Sequence, residues 1–135
     1  MNNKCVIVLD QDLPIGLLAN SSAVLALTLG KEIDGILGKD LKDGSGKIHK
    51  GITNTVLPIL KTDKDNLTII LEKARDLTDI VVVDFSDVAQ ETKTYEDYAA
   101  RLAAAKSEDL RYLGIALYGD KKSINSLTGS LPTLR

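Results

Sequence analysis

Short apolar runs alternate along the chain with longer segments whose apolar residues recur every three or four positions. The apolar runs at residues 4–10, 56–60, 80–85 and 113–118 predict four strands. The first and third runs are continuous and rich in β-branched residues, which is typical of interior strands buried on both faces. Pro58 lacks the amide hydrogen that a sheet ladder uses, so the second strand is expected at an edge or a bulge.

Helical spacing predicts four helices between and after these strands. The first runs over residues 15–29, because Pro14 suits a first helical position and Gly30 ends the apolar pattern. Its apolar residues surround most of the circumference, so we expect it to be covered on more than one side. The second helix, capped by Thr62 or Asp63, extends through Asp76 with one apolar stripe.

The third helix covers residues 95–106. Thr94, with Asp97 three positions later, resembles the capping box that begins a helix. Its predicted buried stripe consists of Tyr95, Tyr98, Ala99, Leu102 and Ala105. Asp120 can cap a short last helix from Lys121 to about Leu127. Strands that alternate with helices indicate an α/β fold, a three-layer α/β/α sandwich around a mixed, mostly parallel four-stranded sheet.

The stretch between the first helix and the second strand carries six of the ten glycines and alternating charges, so it predicts loops and at most a short hairpin. Its turn is the Asp43–Gly46 sequence DGSG. The 135 residues contain no interdomain linker or repeat, and we expect residues 1–135 to form a single domain.

Composition excludes several kinds of site. The chain has one cysteine, Cys5, and one histidine, His49, which argues against a disulfide scaffold and against a multi-cysteine or histidine-rich metal site. We expect no metal and no cofactor. No apolar run approaches the roughly 20 residues that span a bilayer, and the first residues lack the features of a signal peptide. We therefore expect a cytoplasmic protein that does not enter a membrane.

The charge balance argues against a nucleic-acid partner. Seventeen basic residues face nineteen acidic ones, giving a net charge of -2. Nucleic-acid binding draws much of its affinity from cations that neutralise phosphates, and no strong basic cluster is present.

Polar residues that follow the apolar runs are the candidates for a ligand site, since ligands of open α/β sheets bind beyond the carboxyl ends of strands. Asp10 follows the first strand, Asp84 and Ser86 end the third, and Lys121 follows the fourth at a helix N-terminus that favours an anion. Asp10 with Asp12 resembles the acid pair of haloacid-dehalogenase-type phosphatases, but Pro14 stands where that pattern needs a hydroxyl or branched residue. A capping and turn role for the two aspartates is the alternative.

Three phrases carry a family resemblance: VIVLDQDLPIGLLANSSAVLALTLG at the start, DGSGKIHKGITNTVLPIL in the middle and LGIALYGDKKSINSLTGSLP at the end. Together they resemble the uncharacterised bacterial domain-of-unknown-function family two thousand, over nearly the whole chain. That family is similar in fold to type 2 peptidyl-tRNA hydrolases, which implies a four-stranded mixed sheet within a three-layer sandwich and a homodimer.

The hydrolase motifs transfer only in part. Asn20 stands where the hydrolases have glutamine, but Gly16 replaces their lysine and Ala23 their histidine. Asp84 matches an aspartate at the end of their third strand, although the residues after it differ. The resemblance thus implies Asp84 and Asn20 as catalytic candidates, without the cation that would position a phosphate.

Three functions remain open. The first is a binding or interaction module whose cleft, near Asp84 and Asn20, holds a small polar or anionic ligand. The second is a hydrolase of peptidyl-tRNA or a related ester, with Asp84 as base or water-orienting group and Asn20 polarising the carbonyl. The third is a structural or regulatory partner protein. Fold similarity alone does not carry an activity, so we favour the module and lean against an enzyme.

Overall fold

A computed structural model describes residues 2–135 as alternating strands and helices. The order is β1 (Asn3–Asp10), α1 (Ile15–Glu32), β2 (Leu41–Lys42), β3 (Ile48–His49), β4 (Ile59–Thr62), α2 (Lys64–Arg75), β5 (Ile80–Ser86), α3 (Asp87–Glu91), α4 (Tyr95–Ala104), β6 (Tyr112–Asp120) and α5 (Lys121–Thr128). All four predicted strands and all four predicted helices are present within a few residues of their expected bounds. The short helix α3 was not predicted.

The main sheet has the order β4-β1-β6-β5. β1 pairs with β4 in parallel, and β6 pairs antiparallel with both β1 and β5. A mixed four-stranded sheet is therefore confirmed, and β4 lies at an edge as Pro58 predicts. The expectation of a mostly parallel sheet is wrong. The segment from α3 to β6 stays at the end of the sheet where β5 finishes, so β6 starts there and runs antiparallel to β5. β5 is consequently an edge strand, not an interior one.

Helices cover both faces of this sheet and give three layers. On one face α1 packs Leu25 and Leu29 against Ile7, Leu9 and other apolar residues of the sheet. On the opposite face the apolar side of α2 packs with Ile124 of α5 on a second set of sheet residues. The Asp63 side chain accepts a hydrogen bond from the Asn66 amide, and the Asp120 side chain accepts one from the Ser123 amide, so both helices start at the caps expected for them.

The outer face of α1 is not covered by any other part of residues 2–135. Ile15 and Leu27 retain 85% and 77% of their accessible surface. The expectation that this helix is covered on more than one side is thus wrong for a single chain, because no second layer of secondary structure lies beyond it. α1 also runs past Gly30 to Glu32.

Helix α4 begins as predicted but does not join the core. The Thr94 hydroxyl accepts a hydrogen bond from the Asp97 amide. None of the helix residues is buried, and Tyr95 is 81% exposed. The predicted buried stripe is wrong because α4 packs mainly on α3, so that Tyr98, Leu102 and Ala105 are only partly buried.

The glycine-rich stretch forms the expected hairpin from β2 and β3. Its turn is held by Asp43, whose carboxylate accepts hydrogen bonds from the amides of Ser45 and Lys47, and Gly46 adopts a left-handed φ of 82° that favours glycine.

Candidate functional site

One end of the main sheet gathers polar residues from three strands. β1, β4 and β5 all end there, and β6 begins there because it runs antiparallel to its neighbours. Asp10, Thr62 and Ser86 are the last residues of those three strands, and all are buried. Polar side chains are rarely buried at the end of a sheet without partners, so their contacts indicate what this end of the molecule does.

Asp10, the one carboxylate among these three residues, is almost completely buried, at 1% exposure. Its Oδ1 accepts a hydrogen bond from the Asp12 amide at 3.0 Å, as the turn interpretation predicts. Its Oδ2 accepts one from Nη2 of Arg111 at 3.1 Å, across 101 positions of sequence. Since Val6 and Val8 face α2, the alternation of β1 places the Asp10 side chain on that same face.

The backbone of Arg111 is fixed by Asp87. The Arg111 amide donates to Oδ1 of Asp87 at 3.3 Å, and the Asp87 amide donates to the Arg111 carbonyl at 2.9 Å. The Arg111 side chain is half exposed, so one end of it is anchored while its guanidinium reaches solvent. Ser86, next to Asp87, has a buried hydroxyl without a hydrogen-bond partner within residues 2–135.

A second arginine lies on the same face of the sheet. Arg75, the last residue of α2, donates from Nη2 to Oδ2 of Asp84 at 3.1 Å. Its guanidinium carbon lies 5.7 Å from the centre of the Tyr112 ring, within the range of a cation–π interaction. Burial of Arg75 favours the neutral form, but Tyr112 and Asp84 outweigh it and raise the pKa of Arg75 above its ordinary value. Arg75 is therefore a fixed positive charge.

Tyr98 of α4 lies near this ion pair. Burial raises the pKa of the Tyr98 hydroxyl, and the negative charge of Asp84 raises it further. The phenol therefore stays protonated at neutral pH and is available as a hydrogen-bond donor.

A groove of about 430 Å³ lies beside the two arginines and Tyr112. It lies between α2 and the segment 107–112, and both arginines line it. The ten lining residues are Lys64, Asp65, Thr68, Glu72, Arg75, Ser107, Glu108, Leu110, Arg111 and Tyr112. Its volume falls within the range of small-molecule sites, about 300–1,000 Å³.

The structure brings together some of the predicted site residues and separates others. Asp10 and Ser86 lie at one end of the sheet, and Asp84 lies two residues before Ser86 on the groove side. Lys121 lies at the opposite end, where β6 finishes. Asn20 is an exposed residue of α1, on the other face of the sheet from Asp84. The structure therefore provides no common cleft for Asp84 and Asn20.

Sequence reasoning missed the residues that define the groove, above all Arg75, Arg111 and Tyr112. Searching beyond the carboxyl ends of strands misses residues that precede an antiparallel strand, and Arg111 directly precedes β6. The sequence does contain a signal for this site: the basic residue Arg111 lies just before one predicted strand, and the acidic residue Asp10 ends another.

Residues 2–135 contain no cluster of three or more histidine, cysteine or acidic side chains placed to hold a metal ion. No helix among them has the length and apolar character needed to cross a membrane.

Comparison with known proteins identifies the family and a solved fold. No curated protein matches the chain. A solved structure of a protein of unknown function, Atu0240 from Agrobacterium tumefaciens strain C58, is similar to it with a TM-score of 0.87 and 19% identity, over 98% of each chain. At that identity the likeness concerns the fold alone. The family model described as protein of unknown function (DUF2000) matches residues 3–135, and the chain therefore belongs to that family.

Proposed function

We propose that this protein is a ligand-binding module whose groove between α2 and the segment 107–112 binds a small polar ligand through an anionic group. The observation that supports it is the presence of two arginines, Arg75 and Arg111, in one groove, each oriented by a carboxylate of the sheet. We expect it to act in the cytoplasm, as the sequence suggests.

The chemistry of the two arginines suits this role. A guanidinium presents five donors in a planar fork that matches carboxylate and phosphate oxygens. The pairings with Asp84 and Asp10 each use one Nη of the arginine, which leaves donors on both side chains. A ligand would therefore meet preoriented donors without first having to order two long side chains.

The other charges of the groove narrow the class of ligand. Lys64 adds a third cation, while Asp65, Glu72 and Glu108 supply three carboxylates. A simple polyanion would be repelled by those carboxylates. A molecule with a carboxylate or phosphate at one end and hydrogen-bond donors or an amine at the other fits this mixture, as in amino-acid conjugates and nucleotides.

The proposal can be tested by isothermal titration with nucleoside monophosphates, N-acylated amino acids and inorganic phosphate. Arg111→Gln should weaken binding of any ligand found by at least about tenfold, since one charge-assisted hydrogen bond contributes about 1.5–3 kcal/mol.

Arg101→Gln is the matched control. Arg101 is 51% exposed and pairs with Glu91, much as the 50% exposed Arg111 pairs with Asp10, but it lies outside the groove. Equal loss of affinity in both variants, or no binding by wild type, contradicts the proposal.

Hydrolysis of peptidyl-tRNA or a related ester stays a prediction from the family resemblance, as does the hydrolase-like fold. Nothing in the geometry favours it, since Asp84 is paired with Arg75 and Asn20 lies on the opposite face. An assay with N-blocked aminoacyl-tRNA tests it, and turnover that disappears in Asp84→Ala would support it. A structural or regulatory partner role also stays a prediction.

A further inference from the structure

The two edges of the main sheet differ in how they are protected. At one edge, β4 has only four residues, and one of them is Lys61. The C-terminal segment closes this edge. The Lys61 amide donates to the Pro132 carbonyl at 3.0 Å, and the Leu134 amide donates to a carbonyl of β4 at 2.8 Å. Short strands, lysines and covering segments keep the edge of a sheet from pairing with another chain, so the β4 edge is closed.

The opposite edge, formed by β5, lacks these protections. β5 extends over seven residues, from Ile80 to Ser86, and contains neither lysine nor proline. It pairs with β6 alone, and within residues 2–135 no backbone group outside β6 forms a hydrogen bond with its main chain. In an antiparallel edge strand, alternate residues direct their N–H and C=O groups away from the neighbouring strand. The outer edge of β5 therefore presents a row of main-chain donors and acceptors.

The side chains of β5 are also incompletely covered. Residues 80–83, an isoleucine and three valines, are only partly buried although helices cover both faces of the sheet. Residues 6–9 of the interior strand β1 are all 0% exposed. β-branched side chains pack well against those of a neighbouring strand. A strand added to this edge would thus gain apolar contacts as well as main-chain hydrogen bonds.

The charges around β5 indicate which kind of strand can pair with it. Residues 76–92 contain no lysine or arginine, and their acidic residues are Asp76, Asp79, Asp84, Asp87 and Glu91. Asp84 and Glu91 form ion pairs with arginines. Asp79 and Asp87, at the two ends of β5, accept hydrogen bonds from neutral groups only within residues 2–135. A segment with basic residues at its ends complements these two carboxylates.

The same charges argue against a second copy of this chain as the added strand. Two copies of β5 that pair antiparallel over their full length would bring Asp79 of each opposite Asp87 of the other. Like charges directly opposite one another destabilise a strand pair. We propose that the outer edge of β5 is a strand-addition site for an extended segment of a partner protein, with β-branched residues at its centre and basic residues at its ends.

Main-chain hydrogen bonds give such a site its affinity, and the side chains beside them give its specificity. The site is separate from the proposed ligand groove, because no residue from Asp79 to Asp87 lines that groove. A negative result at either place therefore leaves the other proposal unaffected.

Amide hydrogen exchange of the full chain with a synthetic peptide tests the site. The peptide has seven residues of alternating valine and threonine, the length of β5, with a lysine added at each end. Saturating peptide should slow exchange of the outward-facing β5 amides by at least about tenfold. A control peptide with glutamate at each end should bind at least about threefold more weakly, because two exposed charge contacts become repulsive.

Two results overturn the proposal. One is unchanged exchange of the β5 amides at lysine peptide concentrations up to about 1 mM, where even weak specific binding is measurable. The other is protection of these amides that rises with the concentration of the chain alone, since that identifies a second copy as the added strand.

A charge reversal on the protein tests the choice of partner. Asp79→Lys should weaken binding of the lysine peptide by about threefold and strengthen that of the glutamate peptide. Asp34→Lys is the matched control, because Asp34 is exposed like Asp79 but lies just after α1, and it should change neither affinity. Equal effects of the two substitutions, with circular dichroism showing that both variants are folded, contradict a basic partner at this edge.

Discussion

The two faces of the sheet are covered by helices of opposite character. α1 is uncharged over four turns and presents apolar side chains outward, whereas α2 carries charged residues in both its first and last turns and borders a groove with three basic and three acidic side chains. Both helices bury leucines equally well on their inner sides. The inner sides therefore account for the fold, and the outer sides differ in chemistry: α1 exposes Ile15 and Leu27, whereas α2 borders the proposed ligand groove.

The largest expected effect tests whether both inner sides stabilise the fold. Leu25→Ala in α1 and Leu71→Ala in α2 should each lower the free energy of unfolding by about 3 kcal/mol, since both side chains are completely buried. Urea unfolding at low protein concentration measures both. Leu27→Ala, on the outer side of α1, should change stability by less than about 0.5 kcal/mol there. A much smaller loss at either buried leucine would show that one layer is not part of the cooperative unit.

The next effect separates the two ion pairs of the groove. Asp10→Ala should cost about 2 kcal/mol of unfolding free energy, because it removes a buried carboxylate that accepts hydrogen bonds from Arg111 and the Asp12 amide. Asp84→Ala should cost no more than about 1 kcal/mol, since both members of its ion pair are about one-third exposed or more. Equal losses in urea unfolding would contradict the larger contribution expected of the buried Asp10 than of the partly exposed Asp84.

The smallest effect concerns the apolar side of β1 that faces α1. Burial raises the pKa of the Cys5 thiol from 9.0 to about 11. The folded state therefore retains the proton after the unfolded state has lost it, and this contribution, complete below pH 9, is lost as the pH rises toward 11. The loss for Cys5 should reach about 1 kcal/mol at pH 10. Wild type should lose this much more stability than Cys5→Ala between pH 8 and pH 10, and parallel pH profiles would contradict it.

Much of the fold was predictable from local patterns. The strands, the helix caps Asp63, Thr94 and Asp120, and the edge position of the strand after Pro58 all depend on neighbouring residues or on a single chemical property. The direction of β6 did not follow from local pattern. It depends on whether the connection through α4 crosses the sheet, and α4 has an apolar stripe that suits such a crossing but packs mainly on α3.

The wrong direction predicted for β6 explains why Arg111 was not recognised as a residue of the site. A parallel β6 would place Lys121 beside Asp10, whereas the antiparallel strand places Arg111 there and Lys121 at the far end. The apolar circumference of α1 predicted cover on more than one side, whereas Ile15 and Leu27 on its outer side are mostly exposed. The sequence of one chain does not distinguish cover by the same chain from cover by another.

The central claim is that Arg75 and Arg111 form a ligand site on the charged side of the sheet, and arginine side-chain NMR tests it most directly. Titration of ¹⁵N-labelled protein with the ligand found by calorimetry should shift the Nε–H signals of Arg75 and Arg111 together, with one dissociation constant. The signal of Arg101 should stay in place. Saturable binding that leaves both groove arginines unshifted, or shifts Arg101 equally, would contradict the account.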